Sequence, residues 1–158
     1  MNNIMRRRDR QIHDKSIINE ILAKSNICRI GFAVDGQPYI VPVNYAYRDN
    51  SIFMHSASEG KKIELIKRNN NVCFEIELDS HIIKDDAACN WTTKYRSIIG
   101  YGKISIIADK LEKIKGLNII MSKFGEAKEY EYRDESLEKV VVLRIDIEDM
   151  TAKQSDSW

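Results

Sequence analysis

The residues best suited to chemistry lie together in His55-Ser56-Ala57-Ser58-Glu59-Gly60-Lys61-Lys62. A strand ends there, passes through small polar residues and a glycine, and enters a helix that opens on paired lysines. Such a turn can aim several donors at one anion. The helix start supplies free N–H groups and partial positive charge, Ser56 and Ser58 supply hydroxyls, and Lys61 and Lys62 supply ammonium groups. Charge-assisted bonds contribute about 1.5 to 3 kcal/mol each, so a few would hold a phosphate monoester. The same residues also read as a solvated loop before a helix with surface lysines, and residue types alone leave both readings open. The spacing GxxxxGK[ST] of a nucleotide P-loop is absent. His55 carries an imidazole, a side chain suited to proton delivery as a general acid; a histidine bonded into a strand wall or only packed against a ligand is the alternative. His13 and His81 sit in polar, irregular contexts and take no role. Cys28, Cys73 and Cys89 are odd in number and show no CxxC spacing, so neither a disulfide framework nor a zinc site is indicated.

The elements that must position this turn follow from periodicity. Asp14 caps a helix whose Ile17, Ile18, Ile21 and Leu22 share one face. Ile27 to Val34 and Tyr39 to Tyr47 are extended runs joined by Asp35-Gly36, a strong hairpin signal. Pro42 lacks a ladder donor, so its position must be an edge, a bulge or a place where backbone turns toward a ligand. Arg48-Asp49-Asn50 reads as a turn into the strand Ser51 to Ser56, with Ile52 and Met54 on one face and Phe53 and His55 on the other. A helix follows near 59–68, then a strand from Val72 to Leu78. Residues 79–94 have no clean period and read as a long excursion. Tyr95 to Ala108 is a long strand carrying Gly100 and Gly102, which mark a bend or a close approach. A second long helix presents Leu111, Ile114, Leu117 and Met121. The whole chain, 1–158, reads as one domain: a basic segment over 1–13, a first helix over 14–25, barrel strands over 27–108, a helix over 109–124 and a closing strand over 139–146. Many strands joined by short turns predict a mainly β fold, an antiparallel barrel with flanking helices, and closure of the barrel would remove exposed edges.

Composition narrows the class. The chain has 158 residues with 43% hydrophobic and 31% charged, which suits one folded domain with its own core. The formal charge of +1, from 25 basic and 24 acidic residues, excludes the global cationic field of a dedicated nucleic-acid binder. No apolar run approaches the roughly 18 to 20 residues that span a bilayer, and the start is polar and Arg-rich. The cytoplasm is the expected compartment, with neither membrane nor nucleic acid as partner.

Several ordered motifs resemble one family. They are Ile40-Val41-Pro42-Val43-Asn44-Tyr45, then Phe53 to Lys62, then Cys89-Asn90-Trp91-Thr92-Thr93-Lys94-Tyr95-Arg96-Ser97-Ile98-Ile99-Gly100-Tyr101-Gly102. Together they resemble the pyridoxamine 5'-phosphate oxidase-like flavoproteins, and within them the nitroimidazole-resistance branch. The opening Met5 to Arg10 and the closing Leu143 to Thr151 are similar to that branch too, so the resemblance covers nearly the whole chain. It implies an FMN-binding split β-barrel, antiparallel and Greek-key-like, that forms a homodimer with FMN in clefts at the subunit interface. It implies that Ser56, Lys61 and Lys62 grip the flavin phosphate, that His55 and Ala57 are further cofactor contacts, and that the strand carrying Pro42, Val43 and Asn44 lies against the isoalloxazine ring. Trp91, Arg96, Ser97 and Ile98 match a segment near the flavin that comes from the partner subunit; a packed strand with a surface Arg is the alternative. His55 matches a position at the active site of some relatives and is the catalytic candidate.

The activity so implied is an FMN-dependent reductase that takes electrons from NAD(P)H or a redox protein and passes them to a small acceptor such as a nitroaromatic. The flavin would carry the hard chemistry, which fits the lack of a catalytic triad or metal set in the sequence. A non-catalytic flavin-binding or sensing module is the alternative from another class. Oxidation of pyridoxamine phosphate is disfavoured, because Met150 to Trp158 lacks the Arg-containing motif by which those oxidases hold substrate phosphate.

Overall fold

The protein is described here by a computed structural model over residues 5–155. Residues 1–4 and 156–158, which include the start of the basic segment and the end of the tail, lie outside the described residues. A short β1 (Gln11–Ile12) and helix α1 (Lys15–Lys24) precede β2 (Ile27–Val34), β3 (Gln37–Asn44), β4 (Ala46–Arg48) and β5 (Ser51–Ala57). Helix α2 (Lys61–Arg68) leads to β6 (Asn71–Ile83) and β7 (Thr92–Ile107); α3 (Lys110–Phe124), α4 (Asp134–Lys139) and β8 (Val140–Gln154) complete the order. All pairings are antiparallel in one eight-stranded sheet, ordered β3-β2-β6-β7-β8-β5-β4, with β1 added to β8.

Local residue chemistry sets the turns. Asp35 and Gly36 have φ of 52° and 75°, and Asp49 and Asn50 have φ of 50° and 57°, so both tight hairpins use the two left-handed residues that match strand twist. The side chain of Asp14 accepts from Ser16 N at 2.8 Å and so caps α1, whose Ile21 and Leu22 are fully buried. The inner face of the sheet holds Cys28, Ile30, Phe74, Ile76, Ile98, Met54 and Leu143, with α1 and α2 closing over it.

Four expectations are revised. The sheet does not close: β3 and β4 are its ends, because the run expected from Tyr39 to Tyr47 divides at Tyr45. Its first part pairs only with β2 and its second only with β5. The excursion over 79–94 is half strand, since β6 continues to Ile83 past a register shift at Asp79 (φ 57°) and pairs again with β7, which starts at Thr92, as a two-stranded arm. The closing strand runs to Gln154 rather than 146, its polar Asp146, Glu148 and Asp149 being surface-facing residues of a strand that still pairs with β7. Helix α3 buries Gly116, Leu117 and Ile120, whereas Leu111 and Met121 are 69% and 38% exposed. A Cβ at position 116 would lie 2.8 Å from Val142 Cγ1, so the missing side chain lets the helix seat itself there and turns its apolar face by one residue.

Tyr45, at the point of division, is fully buried and donates from its hydroxyl to Leu22 O at 2.9 Å. The Lys123 ammonium lies 3.6 Å from its ring centroid and donates to Ser25 O. Three elements, α1, α3 and the β3–β4 junction, are thereby tied together.

Candidate functional site

The division at Tyr45 opens a split. Strand β4 pairs with β5 through Ala46–Phe53, Tyr47–Ile52 and Arg48–Ser51. Continuing that register would set Asn44 against His55, Val43 against Ser56 and Pro42 against Ala57, yet no pairing connects those residues. Pro42, Val43 and Asn44 thus form one bank and His55, Ser56 and Ala57 the other. Each bank has its backbone bonded on one side only, to β2 or to β8, and the facing N–H and C=O groups stay open to a ligand. Pro42 fits because a bank of this kind needs no second ladder.

At the end of the second bank lies the turn into α2. Ser56 is 8% exposed, and its hydroxyl has no hydrogen-bond partner among the described residues. Its oxygen keeps some contact with solvent and is therefore open to a ligand. Gly60 stands at the N-cap of α2 with φ 106° and ψ 172°, a conformation that glycine alone adopts readily, and no side chain caps the first-turn N–H groups. Lys62 is half-buried, and burial holds its pKa below the usual 10.5. Lys61 lies over the Tyr39 ring, 4.3 Å from its centroid. Glu59 and Glu64 are exposed and pair with neither lysine among the described residues. An unpartnered hydroxyl, two unpaired ammonium groups and an uncapped helix start form a donor set that fits a phosphate monoester.

His55 is exposed and points to the face opposite Ser56, the face shared by Pro42 and Asn44. Farther back on this face, Phe53 and Val142 are covered by α3 and α4 through Leu117 and Leu137. On β3, β2, β6 and the first half of β7 the same face is bare. Ile40, Ile27, Ile99 and Tyr101 are 66%, 37%, 47% and 42% exposed there. Their register places them in neighbouring rows, Ile40-Gly31-Cys73-Tyr101 and Pro42-Arg29-Glu75-Ile99, with Arg29 and Glu75 bonded at 2.9 Å.

The remaining predicted residues lie elsewhere in the chain. Trp91 is in the β6–β7 arm, 48% exposed, its indole donating to Asp85 O at 2.7 Å. Arg96 reaches back to Glu20 of α1 at 3.0 Å. Ser97 faces outward on β7, whereas Ile98 is fully buried in the inner core and paired on both sides, to Ile76 and Ala152. The side chain of Ile98 therefore serves this chain's own core. Strand β7 is separated from the β5 bank by β8, so Trp91, Arg96 and Ser97 do not join the split of their own chain. Sequence reasoning missed Tyr39; its alternation with Val41 and Val43 places it on the inner side of β3, but only the fold brings α2 against it.

Comparison with known proteins bears on this arrangement. Residues 14–154 match the family described as pyridoxamine 5'-phosphate oxidase. A solved Bacteroides thetaiotaomicron protein, described as a candidate 5-nitroimidazole antibiotic resistance protein, is 32% identical, with a TM-score of 0.80 over 91% of this chain and 86% of that one. A flavocytochrome from Azotobacter vinelandii is 17% identical with a TM-score of 0.84, covering 98% of this chain and 73% of its own. An FAD and heme binding protein from Mycobacterium smegmatis is 16% identical with a TM-score of 0.83, covering 94% and 75%. These last two share the fold. Among curated proteins, an uncharacterised protein of Rhizobium meliloti is 34% identical over 56 residues, so the match spans about a third of its length, 36%.

Proposed function

The chain belongs to the pyridoxamine 5'-phosphate oxidase family, and on that premise we propose that it is an FMN-dependent reductase of small electron acceptors, nitroaromatics of the 5-nitroimidazole type among them. The carrying observation is the turn from Ser56 to Lys62, where the Ser56 hydroxyl and the half-buried Lys62 lack partners among the described residues and Lys61 meets only the Tyr39 ring, beside a split with open backbone on both banks. Bound there, the flavin supplies electron transfer to and from the acceptor.

The protein's own residues do the rest. Lys61 and Lys62 place two positive charges at the turn, which match a dianionic monoester better than the singly charged phosphates of a dinucleotide; this favours FMN over FAD. Ser56 donates to a phosphate oxygen. The banks at Pro42 to Asn44 and His55 to Ala57 offer peptide groups to the edge of a flat heterocycle. Nitro reduction consumes one proton per electron, and His55, exposed on the bank, delivers protons from Nδ1 or Nε2. NAD(P)H or a redox protein is the reductant.

The split opens on the same face as the bare apolar patch of Ile27, Ile40, Ile99 and Tyr101. Exposed apolar side chains gathered on one sheet face around the Arg29–Glu75 pair suit an interface. A second copy seated there roofs the split, and its β6–β7 arm, a two-stranded ribbon marginal by itself, gains a surface to pack on. Trp91 on the arm and the outward-facing Ser97 then reach the partner's split rather than their own, while Arg96 stays on Glu20 of its own chain.

Purified protein titrated with FMN, FAD and riboflavin, followed by anaerobic turnover of 2-methyl-5-nitroimidazole with a chemical reductant, tests this. Tight binding of FMN with nitro reduction absent from the apo form is expected. A protein that binds no flavin refutes the site, and one that binds FMN without turnover is a binding module.

A further inference from the structure

Lys61 is exposed and heads α2, yet its ammonium is not adrift in solvent, because it lies 4.3 Å from the ring centroid of Tyr39 on the opposite bank. Lysine carries four rotatable bonds, and fixing them on ligand binding costs conformational entropy. A contact already made in the free protein removes much of that cost. Tyr39 is itself half-buried and packs on the inner core with Val41 and Val43, so its ring is a fixed platform. Its strand partner Phe32 is 2% exposed and anchors it from behind. Lys62 has no such platform; its stem is held by burial instead. The two lysines are therefore presented by different means, and only Lys61 depends on the far bank. The contact also spans the split at the end opposite Tyr45, where the banks join.

We propose that Tyr39 is a positioning residue for Lys61, and that through this stack it sets the preference of the site for phosphorylated over unphosphorylated flavin. The inference rests on the proposed flavin site. The ring touches the ammonium and not the phosphate, so its effect belongs to ligands that carry the phosphate. Riboflavin, which lacks it, is indifferent.

The test is equilibrium binding of FMN and of riboflavin, by quenching of flavin fluorescence, to the full chain and to variants at position 39. Tyr39→Met keeps bulk and removes the π face; the expected result is a rise in Kd for FMN of about tenfold with riboflavin unchanged. Tyr39→Phe keeps the face and should match the native protein for both. Incorporation of pentafluorophenylalanine at 39 keeps the ring shape and reverses its quadrupole, so it should behave as Tyr39→Met even where the methionine variant fails to fold. In Lys61→Ala the position-39 change should have no further effect. Equal weakening of FMN and riboflavin, a Tyr39→Phe variant as weak as Tyr39→Met, or a fluorinated ring that binds FMN normally would overturn the role of Tyr39. Native protein that binds neither flavin would instead overturn the site on which the inference rests.

Discussion

Replacing Lys62 by Met separates function from scaffold, because the two readings of this lysine give opposite signs. In the free protein the ammonium is half-buried with no carboxylate partner among the described residues, and burial alone lowers its pKa from 10.5. The fold thus disfavours the charge it carries there. Lys62→Met removes that unfavourable charge and keeps the apolar stem, so the unfolding midpoint of the apo protein should stay level or rise. Cofactor binding should move the other way. A charge-assisted bond to phosphate contributes about 1.5 to 3 kcal/mol, which corresponds to a roughly 10- to 150-fold rise in Kd for FMN. Riboflavin affinity should not change. The pH profile supplies a second check. A bound dianion favours the protonated lysine, so the complex holds its proton to higher pH than the free protein does. FMN affinity should therefore rise as the phosphate loses its second proton near pH ~6 and decline above the lowered pKa of Lys62; the alkaline decline should vanish in Lys62→Met. Thermal unfolding of apo protein and flavin-fluorescence titration across pH measure both quantities. A variant that melts earlier and binds FMN as the native protein does would refute the assignment and make Lys62 a packing residue.

Other expectations follow from particular contacts. His55→Gln should lower nitroimidazole turnover by about 100-fold or more while leaving the Kd for FMN within a few-fold, as removal of a proton donor does; parallel loss of binding would make His55 a cofactor ligand only. Ile99→Glu places a charge on the bare sheet face at a site 47% exposed, so it should leave monomer folding intact, convert the proposed dimer to monomer in sedimentation, and release flavin; a variant that sediments as the native protein does would move the interface elsewhere. Gly100→Ala would drive its Cβ into the Phe74 ring and to 2.9 Å from Asp149 O, and overpacking of this kind should cost about 3 kcal/mol in chemical unfolding; an unaltered midpoint would contradict the packing. Burial lowers Lys123 to about 8, so the unfolded chain binds the extra proton above that pH and native stability should rise from about pH 8 toward 10.5 relative to Lys123→Met. Cys28, raised by burial to about 12, acts oppositely from pH ~9 upward in both proteins and interacts with the charge of Lys123, so the comparison is read below pH ~9. A flat difference would mean that Lys123 is solvated.

What could be read from the chain was whatever local backbone chemistry dictates. Asp35-Gly36 and Asp49-Asn50 must adopt positive φ to close two-residue hairpins, and they do. Asp14 declares a cap, and the alternation Ile52, Met54, Ser56 against Phe53, His55 declares two faces. The turn at 56–62 was legible as a passage from strand to helix through small polar residues and a glycine, but residue types alone left open whether it holds an anion. The split was not, because it depends on whether strands joined only near Tyr45 continue to pair, a question of registry that no window of sequence contains; Pro42 hinted at it without locating the other bank. The apolar face of α3 was misplaced by one residue because Gly116 contributes through what it lacks. Residues 79–94 hid a strand because an arm exposed on both sides need not alternate.

The failure of closure is itself informative. A barrel that zipped β3 onto β5 as far as Ala57 would satisfy every edge and leave no site. Here the chain keeps a short length of each edge unpaired, a state that invites association with other strands unless it is occupied. Pro42 blunts one bank by removing a donor. Tyr45, held by Leu22 O and by Lys123, fixes the vertex, so the banks cannot simply slide together. On the proposed reading a flat cofactor occupies the open peptide groups and a second copy covers the face beside them, so ligand, interface and edge are one thermodynamic unit. Stability of the loaded protein must then depend on both flavin and protein concentration. If the unfolding midpoint rises with added FMN but does not move across a hundredfold dilution at fixed free FMN, the split is completed within one chain and the role given to the partner's arm is wrong.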